Sequence, residues 1–188
     1  MTETEVFQIF RDTHALLDGH FLLRSGLHSR QYFQCALVLQ FPRIAERLCG
    51  ELATKVKNAG AETVISPAMG GLFIGHEVAR ALNARHLFVE KNSSGKLELR
   101  RSFQITPGEK VLVVEDVITK GGRVRETIDI VHSFNGKVVG VGALVDRSAG
   151  ALKLGVRMES LLTLEIETFD PVMCPLCHAG KPLVKPGS

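Results

Sequence analysis

Glu115 and Asp116 stand side by side behind four apolar residues, Val111-Leu112-Val113-Val114, and ahead of Val117-Ile118, Thr119-Lys120 and Gly121-Gly122. Adjacent carboxylates are poor phosphate ligands but good acceptors for the vicinal hydroxyls of a sugar. The glycines lack the Cβ that would keep backbone N–H groups away from a ligand. Val124, Ile128 and Val131 then take up a helical spacing, and the first turn of a helix turns unpaired N–H groups and a positive dipole end to the same spot. A phosphate fits there. The chemistry expected of Val111 to Arg123 is therefore the binding of a sugar phosphate. The stretch has neither the lysine spacing of a Walker loop nor the Gly-x-Gly-x-x-Gly of a dinucleotide site.

These groups need elements to hold them. Val111–Val114 is too apolar for a half-solvated strand and reads as a central strand covered on both faces, followed by a loop and a helix. A second strand, Thr63–Ser66, breaks at Pro67-Ala68-Met69-Gly70-Gly71 before Leu72–Leu82 turns helical, giving a second glycine-rich strand-to-helix turn. Lys137–Val145 reads as another buried strand ending in Asp146-Arg147. An arginine there faces the crevice where open α/β sheets bind ligands, and its fork of donors matches a carboxylate. Leu87–Val89 is a strand, Asn92–Lys96 a polar hairpin tip, Leu97 to Phe103 a returning strand with Arg100 and Arg101, and Leu161–Ile166 the last strand. The pattern predicts an α/β fold with a central, mostly parallel sheet flanked by helices.

Upstream, Val6, Ile9, Phe10, Leu16 and Leu17 predict an amphipathic helix ending near Asp18-Gly19. Phe21 to Gln34 predicts a hairpin about Ser25-Gly26. Phe41-Pro42 opens a second helix, which runs through Val56 and stops at Asn58-Ala59-Gly60.

The 188 residues fit one domain, with a hood at about 18–40, a core at about 41–168 and a C-terminal tail. A net charge of +3, one tyrosine and no tryptophan argue against a stacking-based nucleic-acid binder. Between Arg85 and Lys110 six Lys or Arg face three Glu, a cluster that a small polyanionic substrate would explain. No run of residues is apolar enough for a membrane span, and the acidic start is unlike a signal, so a cytoplasmic protein is expected. Cys35, Cys49, Cys174 and Cys177 are too sparse for a disulfide framework. Cys174-x-x-Cys177-His178 is a tempting metal motif, but a structural zinc wants four ligands and no second pair stands nearby in sequence, so no protein metal site is expected.

The stretch from Val111 to Arg123 resembles the phosphoribosyl pyrophosphate (PRPP) signature of the type I phosphoribosyltransferases. The resemblance covers nearly the whole chain from Phe21 onward. It implies that family's fold with a small N-terminal hood, with Glu115, Asp116, Val117, Ile118, Thr119, Lys120, Gly121, Gly122 and Arg123 binding PRPP. Arg123 stands where the family often has a small residue, and either adds a phosphate contact or points to solvent. The turn at Gly70-Gly71 would hold the pyrophosphate, through backbone N–H groups where many members have a lysine. Within the family, the hairpin and Asp146-Arg147 are similar to orotate phosphoribosyltransferases. That similarity implies that Arg147, Thr119 and Arg24 contact orotate, with Tyr32-Phe33 the hood aromatics. The tip after Lys91 resembles the family's catalytic loop, which covers a neighbouring subunit's site and so implies a homodimer. Lys91 is the best match for the lysine on the pyrophosphate, with Asp116 the second catalytic residue and Lys96 the other loop candidate. Magnesium would enter on the pyrophosphate. The implied activity is transfer of the phosphoribosyl group to orotate, giving orotidine 5-monophosphate for pyrimidine (UMP) synthesis. A phosphoribosyltransferase for another base, or a PRPP-sensing regulator on the same fold, is the alternative.

Overall fold

The computed structural model describes residues 1–23 and 25–186. Arg24, one of the expected orotate contacts, lies outside the described residues.

The chain opens with helix α1 (Glu3–Asp12), started by a reciprocal capping box between Thr2 and Glu5. It ends earlier than expected. His14 takes a left-handed backbone (φ 54°), and Leu16 and Leu17, expected in the helix, begin strand β1 (Leu16–Leu22). β1 pairs antiparallel with β2 (His28–Phe33) across the predicted Ser25-Gly26 turn, where Gly26 has φ 83°. Helix α2 (Cys35–Leu39) follows, an element the sequence did not announce, and then α3 (Pro42–Val56).

Beyond it run β3 (Thr63–Pro67), α4 (Gly71–Leu82), β4 (Arg85–Lys91), β5 (Leu97–Leu99), β6 (Lys110–Ile118), α5 (Gly122–Ser133), β7 (Lys137–Asp146) and β8 (Met158–Thr163). The expected return strand to Phe103 is therefore only three residues long, and the last main strand sits three residues earlier than Leu161–Ile166. The six strands form one sheet in the order β5-β4-β3-β6-β7-β8, parallel except for the edge strand β5. A short β9 (Thr168–Phe169) leaves this sheet and joins the hairpin as β1-β2-β9. The segment then closes with a helical turn, α6 (Pro175–His178).

β6 divides the core. Leu112 and Val114 belong to one apolar cluster, with α3 residues Leu48 and Leu52 and α1 residues Val6 and Phe10. Val111 and Val113 belong to a second, with Val124, Ile128 and Val131 of α5. The run of valines and leucine is buried on both faces because alternate residues supply two different layers.

The strand outlasts that run. β6 continues through Glu115, Asp116 and Val117 to Ile118, so the carboxylates lie within the last turns of pleat rather than in a loop behind it. Successive side chains then leave the sheet on opposite faces. The tail, expected as a surface extension, is exposed at Lys181–Lys185 but bound to β1 by hydrogen bonds between Val184 and both His20 O (2.9 Å) and Leu22 N (2.8 Å).

Candidate active site

Parallel pairing brings the carboxyl ends of β3, β4, β6 and β7 to one edge. The turn after β3, the tip after β4, the loop after β6 and Arg147 after β7 therefore share that edge. A crevice of about 140 Å3 lined by Lys55, Asn58, Leu112, Gly140 and Arg157 lies toward the amino ends of β6 and β7 and holds none of these groups.

Glu115 is 6% exposed and Asp116 half-buried. Burial first, then the neighbouring Asp116 charge, pushes the Glu115 carboxyl well above the usual range. Burial likewise raises Asp116, while a hydrogen bond from Glu115 and the Val117 N–H (2.8 Å) pull the other way. The Asp116 N–H donates to Glu115 Oε1 at 3.3 Å. Arg123, half-buried in the first turn of α5, lies close enough for its charge to favour both anions.

The glycine-rich turn after β3 closes on Asp116. A Cβ on Gly70 would come within 2.6 Å of Asp116 Oδ2, so the turn after β3 closes on the carboxylate only with glycine there. Gly121 adopts φ 71° and starts α5 without a side-chain cap, leaving the first N–H groups of that helix for a ligand. A side chain on Gly121 would also strike Leu152, at 2.6 Å. α4 begins at Gly70 in the same uncapped way. Thr119 and Lys120 are exposed on the rim, and Ile118 is buried as part of the support beneath them.

Arg147 is fixed from its backbone. Its N–H donates to Ile118 O at 2.8 Å, tying it to the start of the loop after β6. Asp146 accepts from the N–H groups of Ser148 (2.8 Å) and Gly150 (3.1 Å), shaping the turn behind it. The guanidinium is partly buried, which lowers its pKa, and Tyr32 of the hairpin lies near enough to act against that shift. Arg147 Nε is buried with no hydrogen-bond partner among the described residues. Such an orphaned donor is costly unless a ligand satisfies it. The sequence offered Tyr32 only through the resemblance; the fold sets it beside Arg147.

The tip after β4 is built rather than loose. Asn92 Oδ1 accepts from Ser94 N (2.9 Å) and Lys96 N (3.1 Å), and its amide donates to Glu98 (2.6 Å). Lys91 is exposed at the end of β4, opposite Leu97, and Lys96 is exposed on the tip. Neither touches the acidic pair. Arg101 is held by Glu90 through two bonds of 2.9 and 3.0 Å, so the basic cluster is partly neutralised internally.

Sequence reasoning missed the layer under the turn after β3. Ser66 Oγ lies 2.8 Å from His86 Nε2, and burial, then His76, lowers the His86 pKa to about 4. A neutral imidazole thus supports the strand end. A lone histidine in β4 gave no signal of this, because its partner is twenty residues away on another strand.

The phosphoribosyl transferase domain family matches residues 39–169. Over 188 residues the chain is 58% identical to an orotate phosphoribosyltransferase of Desulforamulus reducens, covering all of this chain and 98% of that protein. It is 54% identical to an orotate phosphoribosyltransferase of Caldicellulosiruptor bescii, with the same coverage. The crystal structure of orotate phosphoribosyltransferase from Aeropyrum pernix is similar at a TM-score of 0.70 and 27% identity, over 84% of this chain and 93% of that one. With the acidic pair, the two uncapped turns and the orphaned arginine at one sheet edge, the chain belongs to the phosphoribosyl transferase family, among its orotate phosphoribosyltransferases.

Proposed function

We propose that this protein transfers the phosphoribosyl group of PRPP to orotate, releasing pyrophosphate and forming orotidine 5-monophosphate for pyrimidine synthesis. The observation that carries the base assignment is the buried, unpartnered Nε of Arg147 beside Tyr32. A planar carboxylate satisfies such a donor, and uracil, adenine and hypoxanthine have none.

The roles follow from where charge develops. As the C1–oxygen bond to pyrophosphate breaks, its electron pair leaves with pyrophosphate and positive charge builds on the ribose. The lone pair of deprotonated orotate N1 then forms the new bond to C1. Glu115 and Asp116 accept from the ribose hydroxyls and, ionised, favour the cationic ring. Val117 to Arg123 cradle the 5-phosphate, with Thr119 also reaching orotate. The amides at Gly70 and Gly71 meet the pyrophosphate, and Lys91 closes on it from the end of β4. Magnesium, entering on the pyrophosphate, would meet Asp116 beside Gly70 and supply positive charge against the leaving group; the oxygen donors there suit it, and no protein cage is needed.

We take the working form to be a cytoplasmic homodimer in which each tip covers the neighbouring site. Exposed Met69 and Phe73, flanking the Gly70-Gly71 turn, support a subunit contact at that place.

Incubation with PRPP and magnesium plus orotate, uracil, hypoxanthine or adenine tests the reading. Pyrophosphate release with orotate alone is expected. Release with another base would overturn the orotate assignment while leaving the PRPP site standing, and release with none would favour a regulator.

A further inference from the structure

Four metal-ligating side chains that the transferase site does not use converge at the other end of the hairpin. His20 of β1, His28 of β2, Cys174 at the start of α6 and Cys177 within it each offer one ligand atom, and these atoms all lie within 4.8 Å of one another. We propose that they form a structural zinc site of the Cys2His2 type, binding one zinc ion per chain.

The spacing carries the first part of the argument. His20 Nε2 stands 2.9 Å from His28 Nδ1, 3.5 Å from Cys174 Sγ and 3.8 Å from Cys177 Sγ, and Cys177 Sγ is 3.4 Å from His28 Nδ1. Tetrahedral zinc, with bonds of about 2.3 Å to sulfur and about 2.0–2.1 Å to nitrogen, spaces its ligand atoms about 3.3–3.8 Å apart. The four atoms already sit within a few tenths of an ångström of most of those edges.

The surroundings carry the second part. His20 and His28 are 3% and 4% exposed and Cys174 is fully buried, while Cys177 stays accessible as an entry side. His20 Nδ1 lies 2.9 Å from the Lys181 carbonyl. A carbonyl can only accept, so Nδ1 carries the proton and Nε2 turns its lone pair toward the other three ligands. Outer hydrogen bonding of this kind fixes the tautomer of a metal-bound histidine. Two thiols and two imidazoles suit zinc rather than magnesium or calcium.

Cys174 and Cys177 have no second pair nearby in sequence, but His20 and His28, distant in sequence, are adjacent in space. Leu22 pairs with His28, and His20 is two residues back along the same strand. The β9 pairing of Phe169 with His28 then brings the C-terminal segment across. Zinc would therefore staple that segment to the hairpin that carries Tyr32.

The test is metal content and spectroscopy on the full chain, purified under reducing conditions without chelator and exposed to zinc. One zinc per chain is expected, lost in Cys174→Ser and Cys177→Ser and kept in Cys49→Ala, which removes a thiol outside the cluster. Cobalt loaded into wild-type protein should give the visible spectrum of a tetrahedral sulfur–nitrogen site, absent in Cys177→Ser. Chelation should lower the melting temperature of wild-type protein but not of Cys177→Ser. Wild-type protein without zinc after exposure and without a tetrahedral cobalt spectrum would overturn the proposal, even if a variant fails to fold. So would undiminished zinc in both cysteine variants, or a Cys174–Cys177 disulfide persisting under reducing conditions.

Discussion

β6 carries a carboxylate cluster at each end, and the two are opposites. Glu109, just before the strand, accepts from Thr63 Oγ1, from the Thr106 N–H at 2.8 Å and from Arg85 at 2.7 and 2.9 Å. Its side chain is 8% exposed, and burial alone would raise its pKa; the hydrogen bonds from Thr63, Thr106 and Arg85 win and hold it at about 2. Glu115, buried, and Asp116, half-buried, stand at the carboxyl end, yet their hydrogen bonds come from the adjoining backbone N–H groups of Asp116 and Val117, and both are pushed up. The comparison separates structure from function. A buried acid with all its partners supplied by the fold holds the sheet together, and one left short of partners is kept for a ligand.

Substitution at the two ends should therefore break different properties. Asp116→Asn and Glu115→Gln should lower kcat about 10²–10³-fold without lowering the melting temperature, because the free protein gains nothing from holding these anions. Steady-state kinetics beside thermal melts would check this, and a large stability loss with intact kcat would reverse the assignment. Arg147→Ala should raise KM for orotate and reduce kcat/KM about 10–100-fold, as expected for a charge-assisted contact of ~1.5–3 kcal/mol. PRPP affinity should stay unchanged. Lys91→Ala should reduce kcat roughly tenfold, and Lys96→Ala should do less; a larger effect at Lys96 would transfer the pyrophosphate role to it.

At the other end, Glu109→Gln should cost about 1–3 kcal/mol of stability and leave kcat unaltered. The pH dependence has a definite sign. Glu109 has a folded pKa near 2 against an ordinary value of 4.5, so its contribution is complete above about 4.5 and disappears as pH falls toward 2. Denaturant titrations across that window should show the loss in wild-type protein and a flatter profile in Glu109→Gln.

Most of this site was legible because its signals are local. The apolar run of β6, the acidic pair and the glycine turns each lie within a few residues, and Arg147 needed only the strand before it. What the sequence hid depends on distance or on unannounced backbone. Leu16 and Leu17 continue the helical period of α1, and nothing in the sequence marks His14 as the left-handed residue that ends it. Cys35–Leu39 is wholly apolar, with no periodicity to mark α2. The extension of β6 through Ile118 was masked by two carboxylates that a buried strand seldom carries. His20 and His28 gained meaning only when the chain returned to them at Cys174.

The most direct test of the contrast is calorimetric titration of magnesium and PRPP into the free protein, in buffers of different ionisation enthalpy and at several pH values. Ribose hydroxyls and the cation favour the ionised pair, so binding should release protons, and affinity should weaken as pH falls below the raised Glu115 pKa. Glu115→Gln should abolish most of that linkage. Binding that takes up no part in proton exchange, or that tightens as the pH falls, would contradict the assignment of Glu115 and Asp116 as the ribose-holding pair.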